Sequence, residues 1–355
     1  GQALARVPLA DPAVHPLLKV CAVLDDLQRW HEGRDEAEAA FEAHLTRLRQ
    51  LHARFDQHAD RARIRQDLRE RLPAMRRHRW WSMGVSLLAE FVRAEDAPDA
   101  LIRARQLAQQ GARAFPRSIG GRRCLHVVES IEAPQYRLEA MAADGPERRS
   151  IGVHYRNLKK LHFKAYRLDV AKLIADSKDY SLLPNHRRLR ALLEPRKPSQ
   201  RWTVKLEQTV DFAMHWAHVK PPIRRPGFYA VIASAREDFD RDDNVLHGVY
   251  LAIGDLVLLT EPRPDGSVEV RVLSGKNGQP IAGAEVRLYR RDYRKGHQVA
   301  ATAVSGANGL VRFRRGRSDN HFLMARKGDD LALDPSYLHF YSSRSPRRAF
   351  GTMIY

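Results

Sequence analysis

Two cysteines in 355 residues, Cys21 and Cys124, are too few to staple a fold, and with no Cys-x-x-Cys and no histidine at ligand spacing they build no zinc or redox site. They read as buried free thiols, or as one disulfide within a helical region, which would imply an oxidising compartment. No apolar run approaches the ~20 residues that span a bilayer, so no transmembrane segment is expected. The chain opens Gly1-Gln2-Ala3-Leu4, without an initiator methionine or the charged and apolar stretches of a signal peptide, and reads as a fragment or processed product. Gly-x-Ser-x-Gly, His-Glu-x-x-His, phosphate-loop and dinucleotide fingerprints are missing, as are zinc-finger, RRM and KH patterns. No catalytic, cofactor-binding or metal residues are assigned, no cofactor is expected, and an enzyme is disfavoured.

What is present fits packed modules. The length predicts two or three domains, and 43% hydrophobic with 8% aromatic residues suffices for cores. The net charge of +19 raises nucleic acid as a partner, but the excess is diffuse: 22 basic and 17 acidic residues lie in 1–130, 39 and 25 beyond. The denser runs, Arg61 to Arg79 and His186 to Lys197, read as solvated faces, so nucleic acid is not expected and an acidic protein or anionic surface fits better.

From Val14 to about Ile131 the apolar period is helical. Phe41, Leu45, Leu48 and Phe55 share one face, Ile64, Leu68 and Leu72 the next, then Leu87, Leu88 and Phe91, and later Leu101, Ala104, Leu107, Ala108, Ala112 and Phe115. Gly33, Pro73, Pro98 and Pro116 punctuate the breaks. The reading is about six helices in antiparallel pairs, with Ala100 to Cys124 similar to tetratricopeptide-like hairpins. Trp80 and Trp81 are assigned to core or interface rather than to a ligand cage.

After Pro134 the period becomes two. Tyr136, Leu138 and Ala140 alternate, then Ile151, Val153 and Tyr155, Leu161, Phe163 and Ala165, and Trp202, Val204 and Leu206 before the Pro226-Gly227 turn into Phe228–Ser234. An insert, Ala171 to Ser199, with Leu189, Leu192 and Leu193, predicts a short helix over a sandwich edge. A second sandwich is expected to begin near Val249, with Tyr250 to Leu259 nearly continuous strand. Asp265-Gly266 and Asn308-Gly309 turns follow, and Ser274 through Tyr289 reads as turn, tight bend and strand, an exposed sandwich corner. The expected architecture is α + β multidomain. A helical region at 1–131 precedes two antiparallel, immunoglobulin- or fibronectin-like sandwiches at 132–247 and 248–355, adjoining with almost no linker.

Candidate chemistry reads as bland. Asp238, Asp240 and Asp242 alternate in the loop Glu237 to Asn244, but a calcium loop needs Gly at the sixth place, here Asp243, and Glu at the twelfth, here Val249. His154, His162, His215 and His218 are taken as neutral or solvent-facing sheet residues, not ligands.

The β half resembles the macroglobulin-like sandwich domains of bacterial alpha-2-macroglobulins. The matching pieces are Val153-His154-Tyr155-Arg156-Asn157-Leu158 leading to Leu161 through Asp169, then Pro226-Gly227-Phe228-Tyr229. After these come Ser274-Gly275-Lys276 through Ala284-Glu285-Val286, Ala307-Asn308-Gly309, and Lys327 through Ala332. They cover about 130 to 355; the helical region bears a looser likeness to the segment preceding such sandwiches. The resemblance implies a periplasmic or cell-envelope parent that traps proteases when a bait segment is cut, with proteases and other envelope proteins as partners. Neither Cys21 nor Cys124 lies in the family's Cys-Gly-Glu-Gln thioester, nothing reads as bait, and the end at Met353-Ile354-Tyr355 agrees with truncation before a further domain. This chain's share would be a non-catalytic scaffold. The alternative is a helical-repeat adaptor with sandwich spacers, binding a peptide or acidic partner in a concave groove lined by basic residues and exposed Trp.

Overall fold

The computed structural model describes residues 4–140, 149–177, 182, 183, 189, 191, 193–240, 242, 244–314 and 320–338. The chain forms two compact units, a helical one ending at Gln135 that also includes Gln208–Met214, and a sheet unit containing the rest.

In the helical unit the sequence period becomes six helices: α1 (Pro16–Glu32), α2 (Ala37–Arg54), α3 (His58–Arg71), α4 (Trp81–Arg93), α5 (Ala100–Ala114) and α6 (Ile119–Glu132). Pro16 occupies the first turn of α1, where its missing N–H costs nothing, and Ser118 caps α6 by accepting from the Gly121 N–H at 2.9 Å. α4 is buried nearly all round, and Leu45, Leu68, Ala104, Ala108 and Ile131 share one core with its Leu88 and Val92. Small residues let the last helices approach: a Cβ on Gly111 would stand 2.4 Å from Cys124 Sγ, so nothing larger fits there. Phe55 differs from expectation. It terminates α2 in extended backbone and is exposed, because the helix ends one residue short of the face it would join.

Among the described residues the sheet unit contains two assemblies of seven strands each. In the first, β1 (Gln135–Ala140), β2 (Ile151–Arg156) and β5 (His215–Val219) form one sheet; β4 (Gln200–Lys205), β3 (Lys160–Leu168), β6 (Gly227–Ser234) and β7 (His247–Ile253) form the other. Ile151, Val153, Leu161, Phe163, Ala165 and Val231 fill the space between them. In the second, β12 (Leu310–Phe313), β9 (Val268–Ser274) and β8 (Leu256–Pro262) face β11 (Gln298–Val304), β10 (Glu285–Arg290), β13 (His321–Lys327) and β14 (Asp330–Leu338). Val268, Val270, Val272, Val286, Leu323 and Ala325 make its core, as period-two alternation requires. The corner after Ser274 is tied by Gly278 N–H to Ser274 O and Ile281 N–H to Val272 O.

Two features depart from the sequence reading. β7 belongs to the first sandwich, paired with β6 from Gly227↔Ile253 to Ala233↔His247, so the second starts at Leu256 rather than near Val249. The alternation from Tyr250 to Leu259 conceals a turn at Gly254-Asp255, where the Asp330 carboxylate accepts the Asp255 N–H at 2.7 Å and presses so close to Gly254 that a Cβ would collide. The insert does not cover an edge. Its helix α7 (Val170–Asp176), started by the Asp169 carboxylate on the Lys172 N–H, buries Val170 and Ile174 together with Leu182, Leu189 and Leu193 against Phe228, Tyr289, Phe322 and Met324. The outer faces of the two four-stranded sheets thereby share one apolar core. Leu192, Asp243 and Met353-Ile354-Tyr355 lie outside the described residues.

Candidate functional site

The acidic loop carries its own cation. Arg236 donates from Nε and Nη2 to the two carboxylate oxygens of Asp238 at 3.1 and 2.6 Å, and from Nη1 to the Asp242 carbonyl at 3.1 Å. That hydrogen bonding holds the Asp238 carboxyl down at about 2. Asp238 thus spends both carboxylate oxygens on Arg236, and among the described residues no three His, Cys, Asp or Glu side chains gather in a metal-holding group.

Three of the four histidines, His154, His215 and His218, lie on the paired strands β2 and β5, and His162 stands apart on β3. His162 is buried on β3, its Nδ1 3.0 Å from Thr203 Oγ1, and burial lowers its pKa. His154 lies edge-on to Trp216 at 3.9 Å, the Trp216 indole N–H points at the His218 ring, and His215 tilts against Tyr155. Both cysteines are free and buried, on α1 and α6 respectively.

A polar convergence lies at the rim of the core shared by the sandwiches. A cleft of about 400 Å³ is lined by Arg167, Asp169, Arg287, Arg326 and Asp329 over Phe228 and Met324. Asp329 accepts from Arg225 and lies 3.5 Å from Arg167, which together hold its carboxyl below the ordinary range. Arg287 pairs with Glu285 at 2.6 Å, and Arg326 Nε donates to the Gly328 carbonyl. Each of these guanidiniums has an internal partner, so the charged side chains at this rim are tied to one another and to backbone carbonyls.

In the helical unit a groove of about 610 Å³ runs between α1 and α2, lined by Leu24, Leu27, Ala39, Ala43 and Trp80. Trp80 is half-buried and donates its indole N–H to Glu42 at 2.7 Å. The groove expected for an adaptor would be basic. Its charged lining residues are instead Glu38 and Glu42, because the arginines of 61–79 lie on α3 and beyond, where Arg65 is spent on Glu95 at 2.8 Å.

No family model matches the sequence, and no match is found among curated proteins. Solved structures do resemble it. They are bacterial alpha-2-macroglobulins. The native protein from Escherichia coli spanning domains MG0-NIE-MG1 is 17% identical over 56% of this chain and 63% of that one, at a TM-score of 0.43. A structure spanning NIE-MG1 has the same identity and TM-score and is covered over 95% of its length. A Salmonella alpha-2-macroglobulin mutant is 14% identical over 57% of this chain, at a TM-score of 0.40, and this chain spans only 12% of it. The chain thus covers less than two thirds of the first of these. Likeness at this level carries nothing about function.

Sequence reasoning missed two elements. Gln208–Met214, between β4 and β5 in the chain, belongs to the helical unit, where Phe212 packs on the core beneath the Arg105 guanidinium at 5.3 Å. A short apolar stretch around Phe212, interrupted by Asp211, is its only signal in the sequence. The second is the sign of the α1–α2 groove, legible in the run of acidic residues from Asp25 to Glu42.

Proposed function

We propose that the chain is a non-catalytic scaffold, the N-terminal part of a longer bacterial alpha-2-macroglobulin-like protein that traps proteases in the periplasm or cell envelope. Proteases are its partners through the full-length protein, with other envelope proteins as further contacts. The observation that carries the scaffold reading is the joint: Ile174, Leu182, Leu189 and Leu193 fill one core with Phe228, Phe322 and Met324, so the sandwiches are bound to each other over an apolar surface. A trap that closes when a remote segment is cut needs stiff arms to transmit the movement, and a shared core supplies stiffness that a linker cannot. The quoted sequence pieces support the family, since Leu161 to Asp169 forms β3 and the α7 cap, and Ser274 to Val286 forms the corner into β10. Three modules follow: the helical region, a first sandwich through Ile253 and a second from Leu256. Cys21 and Cys124 take no part in trapping, so a thioester would lie elsewhere in the parent.

The test sets the full-length protein against a protease with a large protein substrate and a small peptide substrate. Trapping spares the large substrate while the small one is still cut, and this chain alone neither cuts nor inhibits. Hydrolysis or inhibition by the chain alone overturns the scaffold reading, and unprotected large substrate overturns the trap.

A further inference from the structure

We propose that the outer face of the α1–α2 hairpin is a docking groove for a basic amphipathic helix supplied by a partner protein. This stands independently of the trap reading.

α1 buries Cys21, Ala22, Asp25 and Gln28 and packs chiefly on α2. Its other face is not polar, as a solvated helix face would be. Val20, Val23, Leu27 and Trp30 follow one another at spacings of three and four, and they are 42%, 50%, 42% and 53% exposed. That is an a/d-type stripe, the pattern one helix presents to another. Beside it opens the groove lined by Leu24, Leu27, Ala39, Ala43 and Trp80, so the stripe continues into a concave apolar floor rather than ending at the ridge of α1.

The charge around this surface selects the occupant. Residues 25–42 hold seven acidic and two basic side chains, a balance of −5 in a chain whose total is +19. Some are engaged: Asp25 with Arg47 at 2.6 Å, Glu42 with Arg49 at 2.8 Å, and Glu36 with His31 at 2.6 Å. Glu38 stands on the groove wall with no partner among the described residues, and Asp26 is 81% exposed, its nearest cation 3.7 Å away. An acidic peptide meets repulsion here. A second copy of the chain, docked through the same surface, would set this acidic cluster against itself. A helix with leucine-like residues at three- and four-residue spacing, flanked by Lys or Arg, satisfies both the stripe and the rim. Screening over roughly 10 Å at ordinary salt keeps the local negative field effective against the positive charge elsewhere.

The global charge makes the test sharp, because a strongly cationic protein should otherwise prefer an anionic ligand. The probes are two synthetic helices of roughly 18 residues with the same leucine stripe, one with Lys and one with Glu on the polar face, titrated by calorimetry into the full chain. The Leu/Lys helix is expected to bind saturably and one to one, the Leu/Glu helix at least ~tenfold more weakly. Leu27→Ser and Glu38→Lys should each weaken the Leu/Lys helix by roughly tenfold, with far-UV circular dichroism unchanged since both positions lie at the surface. Glu38→Lys keeps the test decisive if Leu27→Ser perturbs folding. Failure of the Leu/Lys helix to bind, equal binding of the Leu/Glu helix, or indifference to both substitutions overturns the proposal. So does sedimentation showing that the unliganded chain dimerises through this face, with Leu27→Ser abolishing the dimer.

Discussion

The two units hold themselves together by different means. Helices are tied to one another by polar contacts that are half-buried or buried: the Asp25–Arg47 ion pair between α1 and α2, the neutral His44 ring against Asp67 between α2 and α3, and the Arg65–Glu95–Arg103 ion pairs from α3 across to α5. The sandwiches are tied face to face by apolar side chains, and ion pairs such as Arg287–Glu285 sit at the rim, with Arg263 reaching inward to the nearly buried Glu269 as the exception. α3 shows why the helical unit needs charges. It is polar nearly all round, with only Ile64, Leu68 and the stem of Arg65 buried, so apolar area alone would hold it weakly. A helix can rotate or slide on an apolar neighbour, whereas an ion pair admits one register; a sheet has its register fixed already by its ladder.

The contrast is broken most forcefully at the sandwich joint. Phe322 is fully buried, stacked on Tyr289 at 4.9 Å and edge-on to His297. Phe322→Ala is expected to cost about 3–5 kcal/mol in urea unfolding, and a loss below about 1 kcal/mol would mean that the shared core collapses freely and is no joint. Next comes the helical counterpart. Glu95→Gln leaves Arg65 and Arg103 facing each other where the side chains of Arg65 and Glu95 are only 7% and 11% exposed, so about 3 kcal/mol should go. Glu285→Gln, at the exposed rim, should be nearly silent. Equal losses from the two would erase the distinction between tie and rim.

A smaller effect separates the ties by pH. Arg47 can only donate, so the His44 Nδ1 that it faces at 3.0 Å accepts, and the ring proton sits on Nε2 beside Asp67 at 2.7 Å. Burial lowers the His44 pKa, and the contact with His44 lowers that of Asp67. Below roughly pH 6.5 the unfolded chain takes a proton on His44 that the folded chain refuses, and below roughly 4 the same holds for Asp67. Both therefore remove stability as pH falls. His44→Gln should flatten the fall in urea midpoint between roughly pH 7.5 and 5.5; the slope that remains is expected from His52, His162 and His297, which burial also lowers. An unchanged slope in the variant would remove His44 from the account.

How much of this was legible follows from the same contrast. Period-two alternation exposed the strands because each buries one face, and Val268, Val270 and Val272 or Ile151, Val153 and Tyr155 could be read directly. The joint could not: Leu189 and Leu193 amid basic residues look the same whether they cover an edge or fill a core between sheets. Gly254-Asp255 is itself a turn signal, but a two-residue break inside the apolar run from Tyr250 to Leu259 reads easily as continuous strand, which hides the end of β7. In the helical region the apolar face located the helices, but the long-range pairs that order them join residues such as Arg65 and Glu95, which no local period connects. The groove was anticipated with the opposite sign because charge was summed over the whole region rather than over one hairpin.

The mildest test uses the cysteines, both of which lie in the helical unit. Burial pushes the Cys124 thiol up to about 12, and its S–H is directed at the Ser82 carbonyl at 3.2 Å; burial raises Cys21 as well. The thiolate is the reactive form, so native protein at roughly pH 8 should consume almost no alkylating reagent until the helices open, and two equivalents once denatured. Labelling then becomes a clock for one unit alone, since its rate in sub-denaturing urea reports the opening of α1 or α6. Glu95→Gln should speed labelling of Cys124, which lies in the core α3 to α6 build, while Phe322→Ala should leave it unchanged if the apolar joint and the helical ties are separate devices. Faster labelling in both variants would show one cooperative structure in place of two kinds of cohesion, and the contrast drawn between the units would fail.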